Sequence, residues 1–257
     1  MHMIELTAGD GTSFSAYRAD PTEPPKGAVV VLQDVFGITP EIQKVADGFA
    51  AKGYVAIAPS LFDRAQPGAT PGHDASGHAD VAAITEQVNG DQAISDIQAT
   101  VDAVKSAGKV AIVGYCWGGD LAYTAGNKVS GIACVVGYDG SKTVADFREK
   151  RKVPTLLHFS ESDPNVSMEQ ITQFRAYRPD VSAFTYPGAA QGFGSGERNS
   201  YREDAPRKAL ERTLFWISQY VEGQPPVLLK NAGAYAQAKT EKKKKKKGGD
   251  DLGPPMD

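Results

Sequence analysis

The sequence predicts a single α/β domain, a mostly parallel central sheet flanked by helices on both faces, and three observations lead there. Short apolar runs rich in β-branched residues recur between longer helix-like stretches. Two of those stretches place apolar residues at helical spacing. One run passes through a glycine-flanked turn directly into an alanine-rich helix. A chain of 257 residues, 41% hydrophobic and 23% charged, is long enough to bury a full core of this kind.

In chain order the strand candidates are 28–32, 54–58, 110–113, 132–136, 154–159 and 182–186. Between them, Ile94, Ile97, Val101 and Val104 fall on one helical stripe, and Leu210, Leu214, Ile217 and Val221 on another. The stretch 64–90 is rich in Gly, Pro, Ala and Asp and reads as a long irregular excursion after the second parallel strand. The domain is expected to span 1–222. From 223 the character changes: Gly223-Gln224-Pro225-Pro226 breaks the helix, and the Lys242 to Lys247 run repels itself, so 223–257 is expected to be a disordered lysine-rich tail. A solvated tail is the plainer reading of that run, and an anionic partner the alternative.

The formal net charge of −3 hides an asymmetry. From Lys239 onward the chain carries seven lysines against four acidic residues, so the body is more acidic than the total indicates and is a poor candidate for nucleic-acid binding. The two cysteines, Cys116 and Cys134, stand in neither a metal-ligand spacing nor a disulfide-rich context. No metal or organic cofactor is implied. The N-terminal residues lack a secretion signal pattern, and no apolar run approaches the ~20 residues that span a bilayer. A soluble, cytoplasmic monomer is expected.

The strongest chemical signal is Val110-Ala111-Ile112-Val113-Gly114-Tyr115-Cys116-Trp117-Gly118-Gly119. Glycines two before and two after Cys116 make room for the sharp turn that lifts a nucleophile to the head of a sheet. The helix start that follows favours a thiolate, and the Trp117 N–H is placed to help hold an oxyanion. The plainer alternative, a buried structural cysteine, leaves the order of strand, glycines and helix unexplained. Cys134 lacks this setting and reads as core packing.

On the earlier strand, Val30-Val31-Leu32-Gln33-Asp34-Val35-Phe36-Gly37 breaks into a loop. Its end is expected to supply the other oxyanion donor, the Val35 N–H, and to set the Asp34 carboxylate near the thiol, although an Asp here can equally cap the turn. The third piece is Leu156-Leu157-His158-Phe159-Ser160-Glu161-Ser162-Asp163-Pro164. Asp163 stands where an acid that orients an imidazole belongs in the order nucleophile, acid, base, and Asp-Pro is also an ordinary turn-starter.

Gly-Tyr-Cys-Trp-Gly-Gly, the Gln33-Asp34-Val35-Phe36-Gly37 loop, Ala58-Pro59-Ser60-Leu61-Phe62, the Asp163 loop and the Tyr186-Pro187-Gly188 strand end together resemble the dienelactone hydrolase family of α/β-hydrolases over residues 27–221. The resemblance implies that Cys116 attacks the carbonyl of an ester or enol lactone, that a histidine acts as base, and that Asp163 orients it. The chain departs from that pattern in two places. Gln191, in Ala189-Ala190-Gln191-Gly192-Phe193-Gly194, stands where the histidine is expected, and the shorter Asp34 stands where the family has a glutamate. His2, His73, His78 and His158 all precede Asp163, and His158 reads as structural. The family also holds a substrate carboxylate with arginines. Ser195 falls where one is expected, and Arg64 is a loose candidate for another.

A glutamine amide takes no proton at neutral pH. The expected function is therefore a thiol-dependent ester or lactone hydrolase whose acyl thioester hydrolyses slowly. Gln191 fits a disabled or trapping variant of an active hydrolase, the reading that the intact elbow, loop and acid favour, or a natural relative that has given up turnover. The rival from another class is a non-catalytic module that binds a small carbonyl ligand in the same pocket. A scaffold role leaves the strained elbow unexplained.

Overall fold

The computed structural model describes residues 1–145, 150–194 and 204–222. Both Ser195 and the lysine-rich tail lie outside the described residues. The elements run β1 (His2–Thr7), β2 (Ser13–Ala19), β3 (Ala28–Leu32), α1 (Pro40–Ala51), β4 (Val55–Pro59), α2 (Ala75–Gln87), α3 (Gly90–Val104), β5 (Val110–Tyr115), α4 (Trp117–Lys128), β6 (Ile132–Tyr138), β7 (Thr155–Ser162), α5 (Met168–Tyr177), β8 (Ser182–Ala190) and α6 (Asp204–Tyr220). The described strands form an eight-stranded sheet in the order β1-β2-β4-β3-β5-β6-β7-β8. From β4 to β8 every neighbour is parallel, while β1 and β2 add an antiparallel edge.

Strand β3 shows how the layers form. Its five residues are all buried, and alternation sends them to opposite faces. Val29 and Val31 pack with Ile42, Ala46 and Phe49 of α1 and with Ala209 and Ile217 of α6. Val30 and Leu32 pack with Ile97 and Val101 of α3 and with Leu121 and Ala122 of α4. The sheet is thus covered on both faces, as the sequence predicts. Helix α1 starts at Thr39, whose hydroxyl accepts the Ile42 N–H, with Pro40 in the first turn, where a missing N–H costs nothing.

Three readings of the sequence are corrected. The stretch 64–90 contains a helix, α2, whose buried residues are only Gly77 and Ile84, too few to print a stripe. The β1–β2 hairpin was not among the strand candidates. β1 lies largely exposed at the sheet edge and carries no apolar run. Of the stripe read for α6, Ile217 and Val221 are buried and Leu214 packs against the core, but Leu210 is 43% exposed, and Ala205, Ala209 and Thr213 complete the buried face. A polar contact accompanies this face. The Thr213 hydroxyl meets Tyr138 Oη at 2.7 Å and His158 Nε2 at 3.0 Å, and His158 Nδ1 meets Tyr186 Oη at 2.7 Å. His158 is fully buried in this network, and burial, with Arg212 nearby, lowers its pKa to about 3. The imidazole is a neutral structural tie between β6, β7, β8 and α6, as its place on the strand suggests.

Backbone approaches backbone closely at the start of α4. A methyl group on Gly118 would lie 2.3 Å from the Gln33 carbonyl oxygen and 2.5 Å from that of Leu32, whereas one on Gly48, exposed in α1, would meet nothing within 4 Å. Gly118→Ala is expected to lower stability by about 3 kcal/mol, and Gly48→Ala to raise it by about 1 kcal/mol, both read from urea unfolding midpoints. Equal effects would contradict the packing described.

Candidate active site

At the C-terminal edge of the parallel strands, β5 ends at Tyr115 and α4 begins at Trp117, leaving Cys116 alone in the turn with φ +52° and ψ −113°. A side chain other than glycine adopts a positive φ of this kind only when the surroundings enforce it. Here they do. The Cys116 N–H bonds the Tyr138 carbonyl at 2.8 Å, and the Cys116 carbonyl accepts the Gly119 N–H at 2.9 Å. The thiol is held up into a pocket of about 20 Å³, which Asp34, Cys116, Asp139 and Gln191 line among others. That pocket adjoins a larger cleft of about 780 Å³ reaching past Trp117 to His78, Lys142 and Asn165.

The expected partners converge on the thiol to different degrees. Gln191 does so directly, its Nε2 standing 3.8 Å from Cys116 Sγ. Val35 lines both the pocket and the cleft. The Trp117 N–H bonds the sulfur, and its ring packs on Phe62 with centroids 5.3 Å apart. Asp34 combines the two roles read for it. Its Oδ1 accepts the Phe36 N–H at 2.7 Å, capping the turn, and its charge acts on the thiol. Asp163 sits in the loop after β7, where its Oδ1 accepts the Asn165 N–H at 2.7 Å. It does not line the thiol pocket.

Arg64 is not brought to the site. Its guanidinium bonds both Asp96 oxygens, Asp10 and Thr12, so it clamps the β1–β2 turn to α3. A site residue that the motif reading missed is Asp139, one residue past β6. It is 2% exposed and also has a positive φ, +49°. Its Oδ1 accepts the Ser160 N–H at 2.8 Å, and its Oδ2 accepts the Gly192 N–H at 3.0 Å, next to Gln191. The signal was present in Tyr138-Asp139-Gly140, an acid at the C-terminal end of a parallel strand, where ligands gather in open α/β sheets.

Electrostatics overturns one expectation. The helix start was expected to favour a thiolate, yet burial pushes the Cys116 thiol up to about 12. The Trp117 N–H opposes this, while Asp34, Asp139 and Asp120 add to it. Removing a thiolate from water beside three carboxylates outweighs one amide and a partial helix charge. Burial likewise raises Asp139, to about 6. Among the described residues, no group of three or more His, Cys, Asp or Glu is placed to hold a metal ion, and no helix is long and apolar enough to cross a membrane.

A raised thiol is protonated at neutral pH, so its alkylation must accelerate as pH rises. Iodoacetamide is expected to modify Cys116 at a rate climbing about tenfold per unit from pH 7 to 10. Asp34→Asn should raise the rate at pH 7, and the fully buried Cys134 should stay unmodified. A plateau by pH 8, followed by intact mass, would rule out the raised thiol.

Comparison with known proteins agrees with this architecture. The dienelactone hydrolase family matches residues 14–221. The chain is 26% identical over 232 residues to carboxymethylenebutenolidase of Pseudomonas putida, covering 86% of this chain and 98% of that one. It is 29% identical over 222 residues to carboxymethylenebutenolidase of Pseudomonas sp. strain P51, covering 82% and 92%. Among solved structures, a dienelactone hydrolase-like promiscuous phosphotriesterase from metagenomic libraries superposes with a TM-score of 0.68 at 18% identity, covering 85% of this chain and 98% of that one. An esterase of Pyrococcus furiosus does so with a TM-score of 0.63 at 17% identity, covering 86% and 92%. With a family match over most of its length and the same fold in those structures, this chain belongs to the dienelactone hydrolase family, a family of carboxylic ester hydrolases.

Proposed function

We propose that this chain performs the first half of thiol-dependent ester or lactone hydrolysis and then stalls. The Cys116 sulfur attacks the substrate carbonyl, forming a C–S bond, while the Val35 and Trp117 N–H groups receive the developing oxyanion. The C–O bond to the leaving oxygen then breaks. The thiol proton ends on that oxygen, giving a free alcohol from an ester, a hydroxyl tethered to the acyl chain from a lactone, or a tethered enol from an enol lactone. What remains is a thioester on Cys116. Its hydrolysis calls for a base that an imidazole at 191, oriented by Asp163, would supply.

The observation that carries this reading is Gln191 Nε2 at 3.8 Å from Cys116 Sγ. An amide there can donate a hydrogen bond and orient a water, but it cannot accept the water's proton. In a serine protease, loss of the triad histidine costs about 10⁶ in turnover. Small lactones are the natural first substrates, since relatives named carboxymethylenebutenolidase are named for a butenolide, a cyclic unsaturated ester.

The high thiol pKa favours a second reading, in which the cleft binds a small carbonyl compound without reacting. The two readings separate on Cys116→Ala. A binding module keeps its affinity, whereas the hydrolase loses all covalent labelling.

The direct test compares the native chain with Gln191→His on nitrophenyl acetate, following turnover and intact mass together. Turnover is expected to rise by about 10³ or more in the variant, while the native chain shows one burst and a lasting acyl mass on Cys116. If neither protein reacts while small ligands still bind, the hydrolase reading fails.

A further inference from the structure

We propose that Asp139 is the proton acceptor for the water that slowly cleaves the Cys116 thioester, and that this water sits in the small pocket Asp139, Gln191 and Cys116 share. The inference rests on the acyl-thioester reading above and assigns the residual turnover to a group outside the expected triad.

The geometry argues for it in three ways. The pocket of about 20 Å³ is the size of a single water site, for which roughly 10–15 Å³ is needed together with several polar partners. Those partners line it: the Asp139 carboxylate, the Gln191 amide and the Asp34 carboxylate, with the reacting sulfur at one wall. The Asp139 carboxylate is also fixed in place. Backbone amides of Ser160 and Gly192 hold its two oxygens, and its own N–H bonds the His158 carbonyl at 2.9 Å. A carboxylate has roughly four acceptor sites, more than those two amides and the Ser160 hydroxyl use.

Its protonation state suits the task. Burial raises Asp139 to about 6, and the charge of Asp163 adds to the rise. Among the described residues, Cys116 and Asp34 line the same pocket, Asp163 acts on it from the loop after β7, the carbonyl of the neutral His158 accepts its backbone N–H, and Asp120 and Lys142 line the adjoining cleft. A carboxyl group titrating near 6 is ionised at neutral pH yet far more basic than an ordinary aspartate.

The step balances as follows. Water oxygen bonds the thioester carbon as one of its protons passes to Asp139. The tetrahedral intermediate collapses with loss of the C–S bond, releasing a carboxylic acid. The proton held by Asp139 then returns to sulfur, because the thiol is the weaker acid of the two.

The test uses acyl-Cys116 preformed on the full chain with nitrophenyl acetate, its decay followed by intact mass from pH 5 to 8. For the native protein the decay rate should fall below about pH 6 as Asp139 takes up a proton, and should slow in D₂O. In Asp139→Asn the adduct should last at least about tenfold longer, and the inflection should disappear. The direction is diagnostic. If Asp139 acted only as a nearby charge, removing it would make the thiol more acidic, a better leaving group, and the adduct would decay faster. A lifetime unchanged or shortened in Asp139→Asn overturns the proposal, and so does native decay strictly proportional to hydroxide, which needs no variant to fold. Failure of the native chain to form any adduct sinks the acyl-thioester reading itself, and this one with it.

Discussion

Backbone and helix can meet at Cys116 only if nothing larger than hydrogen lies between them. A methyl group on Gly114 would stand 1.9 Å from the Gly118 carbonyl oxygen, one on Gly118 2.3 Å from that of Gln33, and one on Gly119 2.6 Å from that of Tyr138. These contacts pull the ends of β3, β5 and β6 onto the first turn of α4. The left-handed backbone of Cys116 follows, because no other conformation joins a strand and a helix this close. So does the burial of the thiol, and with it the site's electrostatics.

That burial sets the chemical problem. A thiol among Asp34, Asp139 and Asp120 is held in its protonated form. Carboxylates so placed stabilise an imidazolium, and in company with a histidine they would favour transfer of the thiol proton to the ring. With an amide at 191 the side chain beside the sulfur takes no proton, and the same charges raise the thiol. What the surrounding acids do to the thiol therefore depends on whether the side chain at 191 can carry a charge.

The legible parts of the molecule were those that a short segment determines by itself. Each parallel strand candidate became a strand because a run such as Val29-Val30-Val31-Leu32 has no solvent-exposed alternative that hides it. The elbow was legible because glycine spacing, strand and helix lie within ten residues. Gln191 was legible by its place after the Tyr186-Pro187-Gly188 strand end, and it does reach the sulfur. What could not be read depends on distant partners. Arg64 looked available for a ligand until folding set it between Asp10 and Asp96, thirty-two residues further on. Thr213 faces inward from α6 in contact with Tyr138 and His158, residues far earlier in the chain. The thiol pKa was misjudged for the same reason. A helix start is local, whereas burial and three carboxylates from separate segments are not.

Asp139 shows how the site fixes the position of residue 191 independently of its side chain. Its two oxygens tie the end of β7 to the turn that carries Gln191, through the amides of Ser160 and Gly192. Neither bond involves the side chain at 191. Phe193 anchors the same turn against Tyr138 and Tyr186, with ring centroids 6.1 and 5.0 Å apart. Position 191 is thus aimed at the sulfur by its neighbours, whatever side chain it bears. An imidazole and an amide differ little in reach but completely in proton affinity. Architecture and proton transfer are separable here: the frame fixes where residue 191 reaches, and its side chain alone decides whether a proton can be taken there.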